Sequence, residues 1–141
     1  MRVLFLCTGN SCRSQMAEGW ARALLGEQHT FASAGLQAHG LNPRAVQVMA
    51  EAGVDLSGHT SQTLDAFRDA PFDLVVTVCD HAAETCPVLP GAPRTVHAGF
   101  PDPPRLAAGA KSEEQALRPF REVRDQIRAY VAGELARLLE A

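Results

Sequence analysis

The sequence predicts an α/β protein, an open three-layer sandwich around a central, mostly parallel sheet of four strands. Three observations predict it. Two apolar runs, residues 3–6 (Val-Leu-Phe-Leu) and 73–78 (Asp-Leu-Val-Val-Thr-Val), are continuous rather than alternating, as buried parallel strands are. Between them, helical and strand-like periodicities take turns, the rhythm of βαβ units. Finally, both runs deliver a cysteine at their carboxyl ends, Cys7 and Cys79, on the rim where open α/β sheets bind ligands. These two thiols are therefore expected to be neighbours.

The elements follow in order. Residues 14–25 carry Met16, Trp20 and Leu24 at helical spacing and end at Gly26, with Trp20 read as core. A strand follows at residues 30–34, closed by Gly35. Asn42 and Pro43 form an N-cap and first-turn proline for a helix with Ala45, Val46, Met49 and Ala50 inward and Gly53 at its end. Residues 54–68 read as a loop with a short helix. After the run at 73–78 comes a loop with Pro87, Pro90 and Pro93, then a short strand at residues 94–97. Residues 99–104 (Gly-Phe-Pro-Asp-Pro-Pro) read as a stiff loop in which no helix continues. The last helix opens at Ser112, with Gln115 in capping-box position, and buries Ala116, Phe120, Val123, Ile127, Val131, Leu135 and Leu138. Pro119 is expected to kink this helix or mark its true start. Arg118, Arg121, Arg124 and Arg128, interleaved with Glu122 and Asp125, read as a solvated face.

At 141 residues the chain, 1–141, reads as a single domain with room for a core. The net charge of -3 and the absence of a basic stripe argue against a nucleic-acid partner. No apolar run approaches a membrane span, and residues 3–6 are too short for the core of a signal peptide, so a cytoplasmic location is expected. No assembly surface stands out, so a monomer is expected. In that compartment four cysteines, Cys7, Cys12, Cys79 and Cys86, point to catalysis or redox chemistry more than to a disulfide framework. Their spacing does not match the knuckles of structural zinc sites.

Residues 7–14, Cys-Thr-Gly-Asn-Ser-Cys-Arg-Ser, connect the first strand to the first helix. Gly9 and Asn10 let the loop curl, with Thr8, Ser11 and Cys12, so that backbone N–H groups converge on one point above a helix N-terminus. That is a cup for a tetrahedral oxyanion. Arg13 is placed to close it with charge-assisted hydrogen bonds, the same positive field favours the nucleophilic thiolate of Cys7, and Ser14 is placed to donate to that sulfur.

Asp102, in the stiff loop after the last strand, is a candidate proton donor, against a plain reading as a turn aspartate. The cup does not distinguish phosphate esters from arsenate. With a phosphoryl group on Cys7, water attacks phosphorus. With arsenic(V) there, a second thiolate can attack the Cys7 sulfur and arsenic leaves as arsenite. Cys79 is where the sheet places such a thiol, and Cys86 is suited to pass the disulfide outward. On one regular helix, seven residues at about 1.5 Å each would hold the Cα atoms of Cys79 and Cys86 roughly 10 Å apart, beyond the roughly 7 Å a disulfide allows. Residues 80–87 are therefore expected to bend or unwind between redox states. A thiol-based arsenite or metal sensor would explain the cysteines but not Arg13 or Asp102.

Residues 7–18, Ser33-Ala-Gly35, His59-Thr-Ser61, Val75-Val-Thr-Val-Cys79 with Cys86-Pro87, and Gly99-Phe-Pro-Asp-Pro103 together make the chain similar to one family. It resembles the thioredoxin-coupled arsenate reductases built on the low-molecular-weight protein tyrosine phosphatase fold. The resemblance implies Cys7 as nucleophile, Arg13 as oxyanion ligand, Asn10 shaping the loop, Ser14 tuning the thiolate and Asp102 as proton donor. It further implies a Cys7–Cys79 disulfide, then Cys79–Cys86, reduced by thioredoxin, with no tightly bound cofactor. Arsenate is the implied substrate, with phosphate or sulfate competing. The runner-up is a phosphatase acting through a Cys7 phosphoenzyme, and residual phosphatase activity is an expected companion of the reductase. Cys12 has no step in that cycle and is read as loop support, with an off-pathway disulfide to Cys7 as a further option.

Two departures stand out. Some relatives bind potassium through side chains matching Asn10, Glu18, Ser33, Thr60 and an aspartate; here Gln62 replaces the aspartate, so the residues assign no metal and the resemblance leaves at most a weak potassium site. Pro101 stands where relatives often carry a second acidic residue. The tyrosines that phosphatases place beside their acid are missing, and the only tyrosine, Tyr130, lies in the last helix.

Overall fold

The computed structural model describes residues 1–67, 71–79 and 94–140. The expectations for residues 80–87, including the place and motion of Cys86, lie outside the described residues. The chain runs through β1 (Arg2–Cys7), α1 (Arg13–Leu25), β2 (Thr30–Gly35), α2 (Pro43–Glu51), a 3-10 turn (Leu64–Phe67), β3 (Leu74–Thr77) and β4 (Arg94–His97). It continues with α3 (Pro103–Leu106), α4 (Glu113–Tyr130), a π-turn (Val131–Leu135) and α5 (Ala136–Glu140). The strands pair in the order β2-β1-β3-β4, and every pairing is parallel. Among the described residues, no helix is long and apolar enough to cross a membrane.

Both central strands are covered on both faces, as the continuous apolar runs require: Val3, Leu4, Phe5 and Leu6 of β1 and Val75 and Val76 of β3 are fully buried. Each large apolar side chain so buried stabilises the fold by about 1.5–3 kcal/mol. β4, on the edge, is mostly exposed. The register sets Cys7 opposite Gly35 and Leu6 opposite Thr77, so β1 and β3 end on the same rim.

Several helices differ in detail from their sequence reading. In α1 the buried stripe is Met16, Ala17, Trp20 and Ala21, and Leu24 faces solvent while Leu25 packs inward. Trp20 is core as expected, with its indole N–H donating to the Arg124 carbonyl at 3.1 Å. Asn42 caps α2 through its Oδ1, which accepts from the N–H groups of Arg44 and Ala45. The inward residues of α2 are Ala45, Val48 and Met49, whereas Ala50 is exposed. α3 starts inside the proline loop, because Pro103 sits in the first turn, where a helix needs no N–H donor.

Ser112 caps α4 by accepting from the Gln115 N–H, while the Gln115 side chain accepts from Lys111 N. The helix begins at Glu113 and runs through Pro119. Its buried residues continue from Ile127 through Val131 and Leu135 to Leu139 rather than Leu138, because the wider π-turn delays the phase by one position. The arginine face is more than solvated. Arg121 and Arg124 both bind Glu51 of α2, Arg124 also donates to the Val48 carbonyl, and Arg128 lies over the Trp20 ring. These contacts join α4 to α2 and α1.

Candidate active site

The loop of residues 7–14 is shaped from outside. The segment 36–42, which leaves β2, lies along it as a strap: Leu36 N donates to Cys7 O (3.2 Å), Gln37 N to Thr8 O (2.9 Å), His39 N to Gly9 O (2.9 Å) and Asn42 N to Ser11 O (3.0 Å). A trans peptide sets its N–H opposite its carbonyl, so tying these carbonyls outward turns the partner N–H groups toward the loop interior. Two glycines permit the close approach. A Cβ at Gly9 would collide with the His39 ring, and one at Gly35 with the Gln37 carbonyl and Asn10 N. Asn10 itself takes a left-handed φ of 45°, which asparagine tolerates better than most residues. The loop then runs into the N-terminus of α1, whose dipole favours an anion there.

A directed chain of hydrogen bonds orients the Cys7–Ser14 pair. Asn10 Oδ1 accepts from Gln62 N (2.8 Å) and from Gln15 Nε2 (3.1 Å), which fixes the asparagine amide with its NH2 toward Ser14. Asn10 Nδ2 donates to Ser14 Oγ at 2.9 Å. With that lone pair used, the Ser14 hydroxyl hydrogen is free to point at Cys7 Sγ, 3.0 Å away. Gln15 is held in turn: its Nε2 also donates to the carbonyls of Asn10 and Thr60, and its Oε1 lies 3.0 Å from His59 Nδ1. Asn10, Ser14 and Gln15 are fully buried, so each missing partner would be costly. Gln15 and the strap were not singled out in the sequence, and Gln62 was singled out only at the potassium site, not as a partner of Asn10. A polar residue in the first turn of a buried helix, as Gln15 is, is the one local signal for them.

Of the other predicted residues that the structure describes, Cys12, Arg13 and Asp102 line one pocket and Cys79 lies beside the loop. A pocket of about 320 Å³ is formed by the loop, with Cys7, Cys12 and Arg13, and closed by His39, Asp102 and Pro104. Arg13 Nη1 donates to the Phe100 carbonyl at 3.1 Å, and its Nη2 lies 3.9 Å from Asp102 Oδ1. Asp102 makes no side-chain cap bond to α3 among the described residues, so its carboxyl is available to the pocket rather than tied to its own turn. Cys79 Sγ lies 3.3 Å from Thr8 Oγ1, which puts a second buried thiol against the anion loop, as the two rim cysteines predicted. Cys12 caps α1 through its backbone, its carbonyl accepting from Met16 N. Burial pushes the Cys12 thiol well above the usual cysteine range, reinforced by Cys7 and Asp102 and opposed by Arg13, so it stays protonated. Tyr130 returns from α4 to this region: its ring meets Phe100 edge-on at 5.9 Å.

The potassium set, Asn10, Glu18, Ser33, Thr60 and Gln62, does come together, but its oxygens already hold hydrogen-bond donors. Ser33 Oγ donates to Glu18 Oε1 (2.6 Å), Arg22 Nη2 pairs with Glu18 Oε2 (2.9 Å), and Gln62 Nε2 donates to the Ser33 carbonyl (3.2 Å). The guanidinium of Arg22 balances the buried carboxylate, and amide hydrogens occupy Asn10 Oδ1 and the Thr60 and Ser33 carbonyls. These residues do not fit a potassium ion.

The low molecular weight phosphotyrosine protein phosphatase family matches residues 2–141. An arsenate reductase of Halalkalibacterium halodurans is 52% identical over 125 residues, 89% of this chain and 88% of that protein. A solved structure described as an arsenate reductase in oxidized state aligns with a TM-score of 0.79 at 31% identity, covering 96% of this chain and 97% of the other. The tyrosine phosphatase of Erwinia amylovora aligns with a TM-score of 0.72 at 28% identity, covering 93% and 88%. The chain thus belongs to the low molecular weight phosphotyrosine protein phosphatase family, with relatives named arsenate reductases among its most similar members.

Proposed function

We propose that this protein is a cytoplasmic arsenate reductase that works by a three-cysteine relay and is recycled by thioredoxin. The observation that carries the reading is the Cys79 thiol, 3.3 Å from Thr8 Oγ1 at the edge of the anion loop. A phosphatase has no use for a thiol there. A relay within the chain requires one, because a second thiolate must attack the Cys7 adduct for arsenic(V) to receive its two electrons.

In this reading the loop N–H groups and Arg13 bind arsenate, and the Cys7 thiolate, helped by the Ser14 hydroxyl, attacks arsenic. Asp102 protonates the departing oxygen, which leaves as water. Cys79, as thiolate, then attacks Cys7 Sγ. The S–As bond breaks with its electron pair on arsenic, giving arsenite and a Cys7–Cys79 disulfide. Cys86 attacks Cys79 Sγ, frees the Cys7 thiolate and leaves Cys79–Cys86 for the thioredoxin dithiol to reduce. Cys12, kept protonated, takes no part. The shared loop and the likeness to the Erwinia amylovora tyrosine phosphatase support a second, slower activity, hydrolysis of phosphate monoesters through a Cys7 phosphoenzyme.

The test is arsenate-dependent NADPH oxidation with thioredoxin and thioredoxin reductase, run on the wild type, Cys7→Ser and Cys86→Ser. The expected result is sustained turnover only in the wild type, no arsenite from Cys7→Ser, and one arsenite per chain from Cys86→Ser. Undiminished turnover in Cys86→Ser would refute the relay. Hydrolysis of an aryl phosphate outrunning arsenate reduction at equal concentration would favour the phosphatase.

A further inference from the structure

We propose that His59 is a positioning residue for the Cys7 nucleophile and acts through Gln15. The hydrogen on its Nδ1 holds the Gln15 amide in the orientation that lets the chain through Asn10 and Ser14 end on the sulfur. The proposal rests on reading Cys7 as the nucleophile and adds a residue to which the relay gives no step.

His59 lies on the segment between α2 and the 3-10 turn, close against α1. The approach is close because Gly19 has no side chain: a Cβ there would strike Leu56 and Val54. Leu56 is fully buried, and its carbonyl accepts from His59 N at 2.9 Å, which anchors the histidine backbone. The ring is nearly enclosed, with 12% of the side chain exposed, and meets Gln15 in the first turn of α1. From the same segment the Thr60 carbonyl accepts from Gln15 Nε2, and Gln62 N donates to Asn10 Oδ1. Residues 59–62 thus grip the start of α1 and the loop before it.

The direction of each bond carries the inference. Gln15 Nε2 is surrounded by acceptors, the carbonyls of Asn10 (3.2 Å) and Thr60 (3.1 Å) and the Asn10 Oδ1 (3.1 Å). Its amide oxygen therefore points the other way, at His59 Nδ1, 3.0 Å off. An oxygen there needs a donor, so Nδ1 carries the hydrogen. Glu18 Oε2, 3.7 Å from the same nitrogen, favours the same tautomer.

Without that donor Gln15 has no good state. Left as it is, a fully buried acceptor loses its partner; turned over, its oxygen meets two carbonyls. Either outcome slackens its bond to Asn10, and with it the Asn10–Ser14–Cys7 order that presents a hydroxyl hydrogen to the thiolate. Bonds in a buried chain polarise one another, so a loss at one end is felt at the other. Gln62 N still holds Asn10 Oδ1, which keeps the effect partial.

The experiment follows alkylation of Cys7 by iodoacetamide, a neutral probe of the thiolate, across pH, with the modified site read by tandem mass spectrometry. It compares wild type, His59→Ala, His59→Asn, Gln15→Met and the double variant of His59→Ala with Gln15→Met. His59→Ala is expected to slow alkylation roughly 2- to 10-fold in mildly acid buffer, the range of one net hydrogen bond. In alkaline buffer, where the sulfur ionises without help, it should match wild type. His59→Asn, whose Nδ2 donates from the place of the imidazole Nδ1, should restore the wild-type rate. In the Gln15→Met background His59→Ala should add nothing, since the histidine acts through the glutamine.

An unchanged rate in His59→Ala overturns the proposal. So does an equal loss at every pH, which marks a disordered loop rather than a weaker thiolate, and so does a full further loss in the double variant. His59→Leu, which keeps bulk without the donor, replaces the alanine variant if that does not fold, and the contrast with His59→Asn decides alone if Gln15→Met does not. The readout needs no arsenate, so a wild type that reduces none would sink the functional reading and leave this test standing.

Discussion

The anion loop of residues 7–14 and the acid loop of residues 98–106 meet at one pocket but are held there by different means. In the first, Asn10 and Ser14 are fully buried, Cys7 is 4% exposed, and strap, helix and glutamine amides hold the carbonyls and side chains. In the second, the Asp102 side chain is 43% exposed, and the loop hangs on Ala98 N to Thr77 O, Phe100 N to Val78 O, the Arg13 contact and the Phe100–Tyr130 ring pair. Binding a tetrahedral anion demands donors fixed before the ligand arrives, since their entropy is then already lost. Giving a proton to a departing oxygen demands a carboxyl that reaches both water and the reacting atoms. In the mechanism we propose, the difference between the loops matches the difference between those tasks.

Substitutions at three positions sharpen or break this contrast. Asp102→Asn should lower kcat for arsenate reduction about 10²- to 10⁴-fold while leaving the affinity for inorganic phosphate within twofold. Its stability should move by no more than about 0.5 kcal/mol, since the side chain is half-exposed. Parallel losses in phosphate affinity and kcat would mean that the acid loop is part of the rigid binding frame. In the opposite loop, Asn10→Ala removes one buried amide and three hydrogen bonds, and forces alanine into a left-handed φ. Urea unfolding should show a loss of about 2–4 kcal/mol. A loss below 1 kcal/mol would show that strap and helix hold the loop without the amide chain.

The smallest effect is expected at Tyr130, where alanine removes the edge contact with Phe100. We expect a loss of about 0.5–1.5 kcal/mol, read as a several-fold rise in the KM for arsenate as Arg13 loses its steadied carbonyl partner. Tyr130→Phe, which keeps the ring, should behave as wild type. An unchanged KM in Tyr130→Ala would leave the acid loop positioned by its two backbone bonds alone.

The anion loop was the most legible part of the chain because its physics is local. Cysteine, glycine, asparagine, arginine and serine within eight residues are themselves the cup, and the flanking strand and helix are adjacent in sequence. The pairing of Cys79 with the loop was also legible, since parallel strands ending together put their next residues on one rim. The strap was not, because residues 36–42 carry no periodicity and act through backbone N–H groups that any sequence has. Nor was the burial of Gln15, nor the service of Arg121 and Arg124 as clamps on Glu51, since partners about 70 residues away leave no local mark. The π-turn that moves burial from Leu138 to Leu139 likewise depends on how the end of the last helix packs.

By itself, then, the sequence determined the α/β architecture, the curled loop of residues 7–14 and the sheet rim beside which Cys7, Cys79 and Asp102 lie. Each of these rests on patterns that repeat over a few residues or follow from parallel pairing. Only the tertiary structure decided how the loop is held open, which way the Asn10 amide faces, that Arg22 pairs with Glu18, and that His39 lines the pocket. Those outcomes depend on hydrogen bonds between distant segments, where direction and distance, rather than residue type, settle the result.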